Sequence, residues 1–178
     1  MGACKCFSCG GEFPSIEGSV HHYMASSPGC WAAYGEILAR EYTNYPSYFR
    51  VHLLTVDAYA VQHPGSTDRQ SIQSVGVHLI RLCLLLEHEL AADEANDATI
   101  KAGRYKHGFF RLEPPTSMGS ITAADLLKAK TVEEHRIIVK EWARSSWEAW
   151  KPHHDIIRSW LSKGSNSKGV GFRRSPNR

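Results

Sequence analysis

Three of the five cysteines in this 178-residue chain lie in the stretch CKCFSCGG, residues 4–11. Cys6 and Cys9 form a C-x-x-C pair that Gly10 follows directly, which is the sequence of a zinc knuckle. Such a turn directs two thiolates at one ion, and the glycine lets backbone N–H groups approach the sulfurs without a clash from a Cβ atom. The stretch therefore predicts half of a metal site.

A structural zinc ion takes four ligands, so two more are needed. Cys30 is the expected third ligand, because it starts a predicted helix, where the partial positive charge favours a thiolate. His22 is the best fourth ligand and gives the spacing C-x2-C-x12-H-x7-C, with His21 and Cys4 as alternatives. A redox-active C-x-x-C normally follows a strand, and nothing strand-like precedes this one. The predicted ligands of a structural zinc ion are Cys6, Cys9, His22 and Cys30.

The chain also has ten histidines, several of them in apolar segments. The stretch VDAYAVQHPG sets four polar residues in an otherwise apolar helix, and a buried polar group without a partner costs about 1–3 kcal/mol. Helical bundles build metal and cofactor sites from such side chains on facing helices. We predict a shared pocket, with His52 and His78 as its nearest pair; the alternative is a set of separate core histidines, each bonded locally. The candidate catalytic residues are His52, Asp57, His63, His78 and His154, with room for a second metal ion of unknown identity.

The elements that must position these residues have helical periodicity, so the predicted class is all-α, a helical bundle with an N-terminal zinc knuckle. Helices are expected from a cap at Ser27 to about residue 43, over 47–62, and from a cap at Ser66 or Thr67 to about residue 90. Residues 91–118 are expected to form a long irregular connection. Thr131 with Glu134 forms a capping box that opens a long helix. The predicted organisation is a zinc-knuckle segment over residues 1–30, a bundle over 31–163 and a disordered basic tail over 164–178.

The composition excludes several classes of protein. No stretch approaches the roughly 18 apolar residues of a membrane span, and the N-terminus lacks the apolar core of a signal peptide. The expected compartment is the cytoplasm, where clustered cysteines stay reduced and bind metal more often than they form disulfides. No nucleophile motif, phosphate loop or dinucleotide fingerprint is present. The net charge is +3, and the basic tail could contact nucleic acid or an acidic partner.

Four stretches together resemble a bacterial family that is known as a domain of unknown function. They are SCGGEFP…HHYMASSPGCWAAYGEILAREY, HLLTVDAYAVQHPG, QSVGVHLIRLCLLLE and EWARSSWEAWKPHHDIIRSW, and the resemblance covers roughly residues 6–162. In that family a single histidine precedes the tyrosine, which implies His22 as the ligand. The histidines on an early and a late helix are faintly similar to DinB-type four-helix metalloproteins, although Trp150 stands where those proteins have a histidine four residues before His154.

Two functions follow from these observations. The first is a metal-dependent enzyme, in which a neutral imidazole of the pocket acts as a base or ligand near pH 7 on an unknown small molecule. The second is a non-catalytic zinc protein, an adaptor or regulator that binds a protein or nucleic acid.

Overall fold

The computed structural model describes residues 2–165, and these form a helical protein with one small hairpin. The predicted all-α class is confirmed. Residues 166–178, which are most of the predicted basic tail, lie outside the described residues. The helices are α1 (Pro28–Thr43), α2 (Tyr45–Gln62), α3 (Arg69–Leu86), α4 (Ala92–Gly103), α5 (Ala123–Leu127), α6 (Val132–Ala149) and α7 (His154–Ser165). Single turns of 3-10 helix at Lys106–Gly108 and Lys151–His153 complete the helical elements.

Helix α2 lies at the centre and packs against α1, α3 and α6. Its second half is buried on every side, with Ala58, Tyr59 and Val61 fully buried, as expected for a helix surrounded by others. Helix α4 packs on α3 and α7, and the short helix α5 packs on α1. The core therefore runs along α2, and residues near both ends of this helix are buried. No helix among residues 2–165 combines the length and the apolar character needed to cross a membrane.

The helix starts follow the capping signals, with one correction. Ser27 caps α1, where its hydroxyl accepts from the N–H of Cys30 at 3.4 Å, and Thr131 and Glu134 form the predicted capping box of α6. Helix α3 is capped by Asp68 rather than by Ser66 or Thr67. The carboxylate of Asp68 accepts from two backbone N–H groups, at 2.8 and 2.9 Å, which a single hydroxyl does less well.

The prediction of an irregular connection over residues 91–118 is wrong in its first part, because Ala92–Gly103 forms helix α4. The buried face of this helix consists of Ala95, Thr99 and Ala102, which are small residues at helical spacing. Such a face lets backbones approach closely but contributes little hydrophobic periodicity. The sequence signal is therefore weak, and packing against α3 and α7 stabilises the helix.

Residues 2–27 are more ordered than the sequence predicts, because two three-residue strands form a hairpin and one of them directly precedes Cys6, where nothing strand-like was expected. Strand β1 (Ala3–Lys5) pairs antiparallel with β2 (Glu12–Pro14), and Cys4 lies opposite Phe13. The hairpin packs on the start of α1, where Phe13 is buried. A Cβ atom built on Gly29 would lie 2.2 Å from the carbonyl oxygen of Pro14, so the close approach requires glycine at this position.

A fully buried carboxylate joins three of the long helices. Glu41 of α1 accepts from Nδ1 of His52 at 2.7 Å and from the Thr55 hydroxyl at 2.6 Å, both on α2, and from Nε2 of His135 on α6 at 2.8 Å. Burial alone would raise the pKa of Glu41, but hydrogen bonds from His135, His52 and Thr55 outweigh it and lower the pKa. The Glu41 carboxylate therefore stays negatively charged at the junction of α1, α2 and α6. Helices α2 and α6 both supply hydrogen-bond donors to it.

We predict that Gly29→Ala weakens the docking of the hairpin on α1. The added methyl group must displace the backbone of Pro14, and overpacking of this kind costs about 1–3 kcal/mol. The matched control is Gly35→Ala in the same helix, where nothing lies within 4 Å of the new Cβ atom. Thermal unfolding should show a lower midpoint for Gly29→Ala and an equal or higher midpoint for Gly35→Ala, because alanine favours helix. Equal midpoints for the two variants would contradict the packing described here.

We also predict that Glu41→Gln destabilises the fold by about 1–3 kcal/mol near neutral pH. The amide has one acceptor oxygen, so at least one of the imidazole N–H groups that bind Glu41 loses its acceptor. The folded pKa of Glu41 lies below its ordinary value of 4.5, so the contribution of the charge is present above that pH and is lost as the pH falls through the folded pKa. Urea unfolding at several pH values should show the difference from the unmodified protein shrinking below pH 4.5. The exposed Glu36 of the same helix supplies the control, and Glu36→Gln should change stability little at any pH. A pH-independent loss in Glu41→Gln would refute the electrostatic explanation.

Candidate metal centre

Three cysteines and one histidine converge at the N-terminal end of the fold. Their ligand atoms all lie within 4.8 Å of one another, and all four residues are buried. The members of this cysteine–histidine cluster are Cys6, Cys9, Cys30 and His63. It is the one group of this kind within residues 2–165 that brings three or more potential metal ligands together.

The turn of the hairpin supplies Cys6 and Cys9. The N–H of Cys6 donates to the carbonyl of Gly11 at 2.8 Å, and the N–H of Gly10 donates to the carbonyl of Cys6 at 2.9 Å. Gly10 has a φ of +74°, a left-handed conformation that favours glycine. The glycine after the second cysteine is thus required by the turn that aims both sulfurs inward.

The first turn of α1 supplies Cys30. Its sulfur lies 3.9 Å from the sulfur of Cys9, and the backbone N–H of Ser27 donates to the sulfur of Cys6 at 3.5 Å. The positive end of the helix dipole favours negative charge on a thiolate at this position. Cys30 therefore lies where the sequence predicts, beside the C-x-x-C pair.

His63 follows the last residue of α2 and approaches the cluster from the opposite side. Its Nδ1 lies 2.6 Å from the carbonyl oxygen of Tyr59. Because a carbonyl only accepts, Nδ1 carries the proton and Nε2 presents its lone pair 3.3 Å from the sulfur of Cys30. Metal-binding histidines are commonly oriented by a hydrogen bond of this kind from the second ring nitrogen.

The structure places His63, and not His22, in the fourth position. The side chain of His22 is exposed, and its ring lies against His21 and Tyr23 at 5.1 and 4.5 Å between centroids. The alternatives His21 and Cys4 also lie outside the cluster, and the Cys4 sulfur instead lies 4.0 Å from the carbonyl oxygen of Pro14.

Proximity in sequence favoured His22, but the end of α2 is brought to the cluster by tertiary packing. The backbone around Met24 pairs with Pro64, which turns the segment that carries His22 away from the sulfurs. The one sequence signal for His63 was the stretch QHPG, which places a histidine at the end of an apolar helix just before a turn.

The distances within the cluster suit a tetrahedral ion. Metal–sulfur bonds of about 2.3 Å and metal–nitrogen bonds of about 2.0–2.1 Å in a tetrahedron separate two sulfurs by about 3.8 Å and sulfur from nitrogen by about 3.5 Å. The observed separations are 3.9 Å for Cys9 to Cys30 and 3.3 Å for Cys30 to His63. Four donors at such distances leave space at their centre for one small metal ion.

The electrostatics of the thiols favour a cation among them. Hydrogen bonds from Cys30 and Cys9 lower the pKa of Cys6, whereas the hydrogen bond to Cys6 raises the pKa of Cys30. Without a metal, the crowded sulfurs therefore compete for a single negative charge. A bound divalent cation removes this competition, because it stabilises all the thiolates together.

Aromatic rings close the cluster from solvent on the α2 side. The ring of Tyr59 stacks between Tyr34, at 3.8 Å between centroids, and His63, at 4.0 Å. Its hydroxyl lies 3.7 Å from the sulfur of Cys30, and burial together with the nearby Cys30 thiol raises the pKa of Tyr59. The four donors are thus enclosed by packed side chains.

The five residues predicted to share a catalytic pocket are divided among separate groups. His52 is bonded to Glu41, as described above. His78 donates to a second buried carboxylate, that of Asp57, at 2.7 Å, and Arg81 forms an ion pair with the same carboxylate at 2.6 Å. His52 and His78 therefore have different partners in place of the direct pairing that we expected.

His154 and His63 belong to two further groups. Nε2 of His154 donates to the carbonyl of Trp147 at 2.9 Å, its ring stacks on that indole at 3.8 Å, and its Nδ1 lies 3.7 Å from Glu87. His63 belongs to the cysteine–histidine cluster. The structure thus corrects the expectation of a shared pocket, because each predicted residue satisfies its hydrogen bonds within its own group.

Three residues that share hydrogen-bonded groups with these histidines were not identified from the sequence. They are Glu41, Arg81 and His135. The available signal was a charged residue on the core face of an apolar helix, as with Glu41 four residues after the buried Ile37. A buried carboxylate needs several donors, so its presence predicts that nearby histidines are engaged rather than free.

A comparison with known protein families assigns most of the chain to one family. A family described as a family of unknown function (DUF5946) matches residues 4–151, a range that contains all four members of the cysteine–histidine cluster. No curated protein and no solved structure matches the chain. The chain therefore belongs to the DUF5946 family of unknown function.

Proposed function

We propose that Cys6, Cys9, Cys30 and His63 bind a structural zinc ion and that the protein is a non-catalytic, zinc-stabilised adaptor or regulator. The observation that supports this best is the convergence of three sulfurs and one imidazole nitrogen within 4.8 Å. Three thiolates and an imidazole are a common ligand set of structural zinc, and soft sulfur donors disfavour magnesium, calcium and manganese.

The closed geometry of the cluster favours a structural ion over a catalytic one. Catalytic zinc keeps one coordination position for water or substrate, whereas structural zinc has four protein ligands. The cluster offers four protein donors, and each of these residues is at most 8% exposed. Protein side chains thus supply all four ligands of a tetrahedral ion and leave no position for a substrate.

The ion would join three segments that are distant in sequence. They are the turn of the hairpin, the first turn of α1 and the end of α2. The hairpin buries few large apolar side chains, Phe13 among them, which is little to offset the entropy of ordering the segment. Metal coordination supplies the missing stabilisation, as in other small metal-bound folds.

The alternative of a metal-dependent enzyme has less support. It requires a second polar centre in which His52, His78 and His154 act together. These histidines are instead bonded to Glu41, Asp57 and Trp147, respectively. Binding of a partner is then the better supported role, and five cysteines that form no disulfide suit the reducing cytoplasm.

The ligand assignment is tested by the metal content of four purified proteins. The unmodified protein should carry about one zinc ion per chain. His63→Ala and Cys9→Ser should lose most of it, because each removes a ligand from a closed site. His22→Ala is the matched control, since it removes an exposed histidine near the cluster, and it should retain the metal.

Cobalt substitution provides a second measurement that does not depend on metal carried through purification. The protein with Co²⁺ should show the absorption bands of a tetrahedral ion with thiolate ligands, and His63→Ala should alter them while His22→Ala does not. Loss of zinc in His22→Ala with full retention in His63→Ala would refute the assignment. A spectrum of six-coordinate cobalt would show that water completes the site and would favour the enzyme.

A further inference from the structure

A cationic surface lies at the end of α4 and in the segment that follows it. Residues 98–112 contain four lysine or arginine side chains and no carboxylate. Residues 104–108 are all exposed, and exposed aromatic rings are interleaved with the charges. We call this region the basic surface; it consists of Lys101, Arg104, Tyr105, Lys106, Phe110 and Arg111.

Among residues 2–165, three cations of the basic surface lack an ion-pair partner, whereas some other surface lysines have one. Lys128 pairs with Asp125 at 2.9 Å, and Lys151 pairs with Glu148 at 2.5 Å. Within residues 2–165, no carboxylate forms an ion pair with Lys101, Arg104 or Lys106. Asp97 and Glu113 flank this segment in the sequence, so the excess of cations is confined to residues 98–112, where it raises the concentration of anions nearby.

A groove of about 670 Å³ between α3 and α4 continues the basic surface. Arg104 and Lys106 line it together with Arg81, whose guanidinium is held by the buried carboxylate of Asp57. Asn96 adds a polar side chain to the same wall, whereas the hydroxyl of Thr99, which also lines it, is bonded to the carbonyl of Ala95 at 2.7 Å. The groove therefore combines cations with hydrogen-bonding groups along one side of the protein.

The segment that carries the aromatic rings is anchored rather than loosely attached. The guanidinium of Arg69 donates to the carbonyls of Lys106, at 3.3 Å, of His107, and of Phe109, at 3.1 Å. The ring of Phe109 is buried and stacks on Trp160 at 4.5 Å between centroids. These contacts leave Tyr105 at 39% and Phe110 at 54% exposure on a fixed backbone.

The end of α7 lies against the same region. A Cβ atom built on Gly164 would lie 2.5 Å from the Cα atom of Ala102, so the last described turn of the chain passes next to Lys101 and Gly103. The sequence beyond Ser165 adds four cations and no carboxylate, namely Lys168, Arg173, Arg174 and Arg178.

We propose that the basic surface binds single-stranded nucleic acid, with Arg104 and Lys106 at the phosphates and Tyr105 and Phe110 stacked on bases. Proteins that bind single strands combine a positively charged groove with exposed aromatic rings, because every base has a π-face. An acidic peptide would use the charges but would leave the aromatic rings without a matching group. The proposal deepens the adaptor role proposed above and rests on it, since it names the partner class.

The test measures fluorescence anisotropy of labelled oligothymidine and oligouridine strands of about 20 nucleotides with the zinc-loaded full chain. The affinity should fall as salt rises from about 50 to 200 mM, with a slope of about 0.7 for each phosphate contact. Arg104→Gln and Lys106→Gln should each reduce that slope by about 0.7. Lys140→Gln is the control, because Lys140 is an exposed lysine on α6, away from α4, and its loss should leave both affinity and slope unchanged.

The aromatic contacts are tested separately from the charges. Tyr105→Ala should weaken binding about tenfold with an unchanged salt slope, and Tyr105→Phe should retain the affinity, because stacking needs the ring and not the hydroxyl. Circular dichroism and zinc content verify that each variant is folded and loaded.

Three results would overturn the proposal. The first is no binding to either strand by a folded, zinc-loaded protein, which would leave the proposed zinc site intact. The second is equal binding in Tyr105→Ala, together with tight binding of polyglutamate, which would assign the surface to an acidic protein partner. The third is an equal effect of Lys140→Gln, which would reduce the interaction to net charge. Absence of zinc from the purified protein would instead contradict the proposed function.

Discussion

The attachment of residues 2–27 to the helices depends on one meeting point, where the turn of the hairpin, the first turn of α1 and the end of α2 come together. Each of these segments brings at least one donor of the cysteine–histidine cluster to that point. Strand β2 approaches α1 so closely that Gly29 is required, and the backbone near Met24 pairs with Pro64 beside His63. The short strands contribute few hydrogen bonds of their own. The position of the N-terminal segment therefore follows from the donors at this point and from the backbone contacts beside it.

The helical core is organised by buried charges that are fully paired. Glu41 receives donors from α2 and α6, and Asp57 receives donors from two residues of α3. An unpaired buried carboxylate would cost several kcal/mol, so each one determines which neighbouring side chains must face it. This requirement accounts for three of the ten histidines, namely His52, His78 and His135. Most of the core histidines satisfy acceptors inside the bundle and are not available to a substrate.

The cysteine–histidine cluster and the basic surface are formed by different residues of the chain. The cysteine–histidine cluster is buried and packs against aromatic rings on its α2 side, whereas the end of α4 presents cations and partly exposed rings to solvent. Arg69 and Arg81 both stabilise the fold near the basic surface. Arg69 donates to a backbone carbonyl of the segment that carries the aromatic rings, and Arg81 pairs with the buried carboxylate of Asp57. If the two proposals hold, the metal centre would stabilise the fold and the basic surface would meet the partner, with no residue in common.

The sequence alone determined the local features of this protein. Helical periodicity and capping residues predicted the all-α class and most helix starts, and the C-x-x-C-G pattern with Cys30 predicted three of the four residues that meet in the cluster. These features can be predicted from the sequence because periodicity, caps and tight turns depend on residues a few positions apart. Only the tertiary structure decided that His63 replaces His22, that the predicted pocket residues separate into different groups, and that Ala92–Gly103 forms a helix. The partner of a buried donor is set by which helices pack together, and residues 33 or 94 positions apart in the chain carry no local signal of their contact.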